Sequence, residues 1–255
     1  MTTDEPTHHD PADHDPTRQP IFNVPAVVVA IAAVLALIHA GRMYLLSAED
    51  NTWLLIALSF IPARYAGFAG EIPGGDTAAV TSFVTHMLVH ADALHLAINT
   101  AWLVAFGAVL SKRMGAIRFL AFSICGGIAG AVAFLVAHPG LLVPVIGASG
   151  AVAAMMGGVM RFLFNAIDRR QGYLLRGNPA AIERMSLKQS LTDRRIVLST
   201  IVFVALNVLA IAGVGQLGTA SAIAWEAHLG GYFFGLLAFA LFDIAPQKFA
   251  SSDRY

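Results

Sequence analysis

The chain has 255 residues, 57% of them hydrophobic and only 13% charged, with a formal net charge of zero and a mean hydropathy of +0.68. A soluble domain of this size carries about a quarter charged residues, so the composition excludes an ordinary water-soluble protein and reads as one polytopic membrane domain. Zero net charge says nothing about a nucleic-acid partner, but no basic patch interleaved with aromatics appears outside the membrane loops, and no such partner is expected. The single cysteine, Cys125, excludes an internal disulfide or a thiolate metal cluster and reads as a small apolar residue in a helix.

The chain opens on "MTTDEPTHHDPADHDPTRQP", polar, acidic and proline-rich. Residues 1–20 read as a disordered tail. Acids dominate over the lone Arg18, the reverse of a transit peptide, and no cleavable signal is evident. His8, His9 and His14 lie among Asp10, Asp13 and Asp15. A flexible tail offers a metal no fixed geometry, so no metal site is expected there.

Six apolar segments follow, near 22–46, 80–111, 115–138, 147–165, 195–215 and 222–243. A helix of about 20 residues crosses a hydrocarbon core of about 30 Å. The expected fold is therefore all-α, with a six-helix membrane domain over 21–245 and a short tail at 246–255. The second segment is too long for one simple span. Its first part, "TSFVTHMLVHAD", reads as a turn or short helix, with Asp92 as N-cap of the span proper. The segment 47–79 contains "NTWLLIALSFIPARYAG", broken by Pro62 and Arg64. It reads as an interfacial element with Trp53 and Tyr65 near headgroup level. Of the 16 Lys and Arg, only Arg42 and Arg64 fall on that side. The rest, including Arg161 and the other basic residues between the fourth and fifth spans, place both termini in the cytoplasm. No internal repeat is visible, which weighs against an inverted-repeat transporter.

Polar side chains inside lipid are functional candidates. The second span carries His95 and Asn99, the fourth Ser149, the fifth Asn207, and the sixth Glu226 and His228. Ser149 is 12 residues before Arg161, Asn99 is 13 before Lys112, and His228 is 15 before Asp243. At a rise of about 1.5 Å per residue, these three lie about 18–22 Å from the cytoplasmic charges. Taken singly, each has an ordinary reading: a packing serine, a structural histidine, polar glue between helices. Together, at one depth, they form a site.

Serine needs a base to become a nucleophile, and a neutral imidazole serves. Gly231 and Gly235 follow His228 at one and two turns, and Ser149, Ala153 and Gly157 form a small face on the fourth span. Packing these faces sets Ser149 against His228. Glu226 points to another side of its helix and Asp243 lies at the wrong end, so the expected unit is a Ser–His dyad. Pro144 and Gly147 set the start of the fourth helix just before Ser149, and Gly150 follows it. The first amides of a helix have no intrahelical acceptor, so the Ser149 N–H is free for an oxyanion. His95 and Asn99 add donors from one helix face. His90, above them, is expected to line a water-filled cavity.

"GASGAV", "AHLGGYFFG" and "HMLVHADALHLAIN" together resemble the rhomboid family of intramembrane serine proteases. The resemblance covers about residues 22–245, in order, spacing and helix count. It implies Ser149 as nucleophile, His228 as general base, and an oxyanion hole of His95, Asn99 and the Ser149 amide. It implies no metal or cofactor, and substrates that are single-span transmembrane proteins cut near the outer ends of their helices. Two positions depart from the family pattern. Many rhomboids carry an imidazole-stacking aromatic four residues after the nucleophile, where this chain has Ala153. Imidazole orientation must then come from elsewhere, with Trp225 or Tyr232 as candidates. The Trp-Arg pair common in the first outer loop is replaced by "IPARYAG". The expected function is intramembrane serine proteolysis in a bacterial inner membrane, within the lipid bilayer. The alternatives are a catalytically silent rhomboid-like protein that binds membrane clients, which would typically lack the serine or the histidine, and a transporter, which would carry deeper acidic residues.

Overall fold

The computed structural model describes residues 24–211 and 224–243. The expected tails at 1–20 and 246–255, the His/Asp cluster of the first tail, and 212–223 lie outside them. Within them the chain is all-helical, apart from one isolated antiparallel bridge between Phe60 and Val145. Helix α1 (Ala26–Tyr44) buries only Val28, Leu35 and Arg42, a stripe repeating every seven residues. Val27, Ile31 and Ala32 pack beside that stripe, while Val29, Val34 and Leu37 face outward, which suits a hydrocarbon solvent and no aqueous one.

Segment 47–92 folds on itself. Ser47 caps α2 (Ala48–Leu58) by accepting the Asp50 N–H. Short 3₁₀ turns at Pro62–Ala66 and Ala69–Glu71 lead to α3 (Gly75–Thr85) and a further turn at His86–Leu88. Arg64, expected as an interfacial charge, is buried instead. It donates to the carbonyls of Ile56 (2.9 Å) and Pro73 (2.8 Å), tying both ends of the segment together.

The second span runs from α4 (Ala93–Trp102) through one π-helical stretch, Leu103–Gly107, into α5 (Ala108–Met114). Asp92 caps it, its carboxylate accepting the His95 N–H at 2.8 Å. Then come α6 (Ala116–Ala137) and α7 (Ser149–Asp168), the short helices α8 (Gly172–Arg176) and α9 (Leu187–Thr192), and finally α10 (Arg194–Ile211) and α11 (Trp225–Ala238). Among the described residues, four helical stretches are long and apolar enough to cross a membrane: Ala26–Tyr44, Ala93–Met114, Ala116–Ala137 and Ser149–Asp168. α7 is the central one, with 72% of its apolar window buried, against 22% for α1.

The approach of α6, α7 and α11 is set by glycine. A methyl added at Gly231 would lie 2.0 Å from the Gly150 oxygen, at Gly235 1.9 Å from the Ala154 oxygen, and at Gly157 2.2 Å from the Tyr232 oxygen. One added at Gly130 would meet the Ala227 oxygen at 2.6 Å. Backbones this close gain dispersion contacts that larger side chains would forbid.

The end of the bundle remote from Ser149 holds its charge inside. Arg161 corrects the charge reading above: it lies within α7, 2% exposed, not in a loop. It donates to the carbonyls of Leu236 (2.8 Å) and Met185 (3.0 Å). A buried guanidinium is tolerated where it finds such acceptors. Arg113 is also buried, paired with Asp243 at 3.0 Å and lying over the Phe162 ring.

Candidate active site

Ser149 is the first residue of α7, so its amide and the next two have no acceptor within the helix, which begins its ladder with the Val152 N–H on the Ala148 carbonyl. The positive end of the helix dipole adds to their affinity for negative charge. The loop leading into it is tied down by segment 47–92. Phe60 and Val145 exchange two backbone hydrogen bonds (3.0 and 2.8 Å), and the Gly147 N–H donates to the His86 carbonyl at 2.9 Å. Gly147 adopts φ +103°, a left-handed conformation that favours glycine. A Cβ there would also strike His95, 2.7 Å from its Nε2. So the loop can pass the imidazole only as glycine.

His228 lies in the first turn of α11. Its Nε2 is 2.8 Å from Ser149 Oγ. Its Nδ1 is 2.7 Å from Oδ1 of Asn207 on α10, and that residue is 8% exposed. The Asn207 amide nitrogen donates to the Phe203 carbonyl at 2.8 Å. Asn207 was visible in the sequence as a polar residue in the fifth apolar segment, but nothing there joined it to His228. Its signal was the rarity of an amide in "IVFVALNVL". Tyr232, a candidate for orienting the imidazole, is engaged elsewhere. Its hydroxyl shares a hydrogen bond with Thr200 at 2.7 Å and its ring stacks on Phe203. Trp225 is the first residue of α11. Glu226 bonds His138 at the end of α6.

His95 and Asn99 face the loop before Ser149. Asn99 is 4% exposed and donates from Nδ2 to the His95 carbonyl at 2.9 Å. That leaves its second amide hydrogen free. Its Oδ1 is buried with no partner among the described residues. The imidazole of His95 packs edge-on against His90, ring centroids 5.1 Å apart.

His90 differs from expectation. It is 0% exposed among the described residues, so its ring faces protein and not open solvent. Its Nε2 accepts the Ala148 N–H at 3.4 Å, and its own carbonyl accepts from Arg42 at 3.0 Å. It clamps the loop from behind. Burial, and then the nearby His95, His39 and Arg42, push its pKa down to about 3, so the ring stays neutral and keeps its acceptor. Gly150 differs from its neighbours too. A Cβ there would meet only ordinary contacts, the nearest at 3.6 Å. Its carbonyl, not its missing side chain, is what Gly231 packs on. Among the described residues no cluster of His, Cys, Asp and Glu is placed to hold a metal.

A serine at a helix start, a histidine against it and amide donors beside it form a set suited to acyl transfer. Comparison with known proteins agrees in kind. The family model described as the Rhomboid domain matches residues 77–243. The Rhomboid protease GluP of Bacillus subtilis (strain 168) is 30% identical over 141 residues, which is 48% of this chain and 26% of that protein. The chain thus matches about a quarter of that relative's length. With well over half of its residues inside the family model, and its four membrane-length helices, this chain is an integral multi-pass membrane protein that belongs to the rhomboid family.

Proposed function

We propose that the chain is an intramembrane serine endopeptidase that cleaves single-span membrane proteins within the bilayer. The carrying observation is the 2.8 Å contact between Ser149 Oγ and His228 Nε2. In this reading Ser149 Oγ attacks the scissile carbonyl carbon as its proton passes to His228 Nε2. Negative charge develops on the carbonyl oxygen, where the Ser149 N–H, Asn99 Nδ2 and the His95 ring donate to it. His228 then gives its proton to the leaving amine, and an acyl ester remains on Ser149. Water, deprotonated by the same nitrogen, releases the acid and restores the serine. Nothing in this cycle needs a metal or cofactor.

The fold reading extends with it. α10 and α11 would supply a fifth and a sixth crossing, with Glu226 and His228 near one membrane surface and Asp243 near the other. Both termini would then face the cytoplasm, and Ser149 would open toward the outer face of a bacterial inner membrane. The basic residues in the turns after α5 and between α7 and α10 support that orientation.

The test uses purified full-length protein in detergent and in proteoliposomes. A fluorophosphonate should label it, and a single-span reporter should be cleaved. Ser149→Ala and His228→Ala should lose both activities while remaining folded. Cleavage at the wild-type rate by either variant would sink the dyad.

A further inference from the structure

We propose that Asn207 is a positioning residue for this reaction, holding His228 in the tautomer and orientation that leave Nε2 free to take the Ser149 proton. The proposal rests on the Ser149–His228 reading above.

To accept from Ser149 at Nε2, a neutral imidazole must carry its proton on Nδ1. That N–H needs an acceptor inside the bundle. Asn207 Oδ1 stands 2.7 Å from it. An amide can present either end, so its orientation must be fixed. Here the Phe203 carbonyl fixes it: a carbonyl only accepts, so the nitrogen 2.8 Å away is the donor and the oxygen faces His228.

The register of α10 is fixed as well. Thr200, Phe203 and Asn207 follow at i, i+3 and i+7, on one face of the helix. On α11, His228 and Tyr232 are four apart, also on one face. Tyr232 bonds Thr200 at 2.7 Å and stacks on Phe203 with ring centroids 4.8 Å apart. These contacts lock the two helices together, so that Asn207 arrives opposite His228. The carboxylate nearest in sequence, Glu226, is engaged by His138. Ala153, one turn along α7 from Ser149, is too small to stack on the ring. Orientation of the base therefore falls to a neutral amide from a neighbouring helix.

A neutral acceptor orients the ring without adding negative charge. That separates positioning from mere packing in an experiment. The rate of fluorophosphonate labelling is measured from pH 5 to 9 on full-length wild type, Asn207→Ala, Asn207→Asp and Ser149→Ala, with melting temperatures alongside. Asn207→Ala should label at least about tenfold more slowly than wild type, as part of the general-base contribution is lost. Asn207→Asp keeps the size and an acceptor oxygen but adds charge. It should move the acidic limb of the profile upward by about one pH unit, because a carboxylate favours the protonated imidazole. An asparagine that did not hydrogen-bond His228 would alter stability and leave that limb in place.

Wild-type labelling by Asn207→Ala, or an unmoved limb in Asn207→Asp, overturns the proposal. If Asn207→Ala does not fold, the limb in Asn207→Asp decides alone. Wild-type protein that does not label, or Ser149→Ala that labels equally fast, refutes the dyad beneath the proposal and removes it too.

Discussion

The backbone of Gly231 rests directly on the carbonyl of Gly150, so close that a methyl at Gly231 would stand 2.0 Å from that oxygen. This contact joins α11 to α7 one turn from His228 and one residue from Ser149. Gly231→Ala and Gly235→Ala should each destabilise the fold, because the obstacle is backbone that cannot rotate away. Overpacking of this kind costs about 1–3 kcal/mol or more. Gly150→Ala, with 3.6 Å to its nearest neighbour, should melt within a few degrees of wild type. Thermal unfolding in detergent orders the three; equal melting temperatures would show that the helices slide apart at little cost.

Asn99 should affect stability and turnover in opposite directions. Its Oδ1 is buried without a partner among the described residues, a cost of about 1–3 kcal/mol in the folded state. Its Nδ2 donates only to a helix carbonyl one turn back. Asn99→Ala should therefore leave stability unchanged or raised, yet slow turnover by about tenfold to a hundredfold through loss of the proposed oxyanion donor. The loss should fall on kcat and leave KM nearly alone, and should be smaller than in Ser149→Ala. A variant that is unstable but fully active per folded molecule would place Asn99 in the scaffold.

Much of this arrangement was legible in the sequence alone. The Asp92 cap, the helix start at Ser149 and the close glycine faces all follow from local rules: an acceptor before an apolar run, proline and glycine before a helix, small residues at helical spacing. What was hidden depends on register between helices. Asn207 and His228 are separated along the chain, and no spacing rule says which residues of two neighbouring helices will meet. The pinning of Val145 by Phe60 was hidden for a similar reason, since one bridge leaves no alternating pattern to read. Arg161 misled because a charge count assigns every arginine to a loop. A long side chain can instead stay inside when interrupted backbone at Met185 and the last turn of α11 offer it carbonyls.

Two histidines outside the spans make stability depend on pH. Burial pushes His86 down to about 4 and, with nearby positive groups, His90 down to about 3. Their unfolded value is about 6.5. Above that pH neither state binds the protons and the fold loses nothing. As pH falls below it, the unfolded chain takes up protons that the folded chain refuses. Stability should fall from about pH 6.5 toward 4, by up to about 1.4 kcal/mol per pH unit for each histidine. His90→Gln keeps an acceptor for the Ala148 amide and removes one titrating group. Its melting temperature should fall less steeply with acid than that of wild type; parallel curves would remove His90 from the account.

At the far end of the bundle, Asp243 serves two guanidiniums. Arg113 meets both of its oxygens at 3.0 Å, and Arg184 approaches one at 3.4 Å. The carboxylate side chain has no exposure, and that of Arg113 almost none. Asp243→Asn would leave Arg113 buried beside Arg184 with no negative charge between them, at a cost of about 3–5 kcal/mol. Arg184→Gln should cost much less, because that side chain retains some solvent exposure and Arg113 keeps its two-point pairing. Neither change touches the helix ends that carry Ser149 and His228. Labelling per folded molecule should therefore match wild type in both variants while melting temperatures separate. If Asp243→Asn instead slowed labelling with little loss of stability, the segment after α11 would be coupled to the helix end that carries His228, and the ion pair would govern the site from a distance.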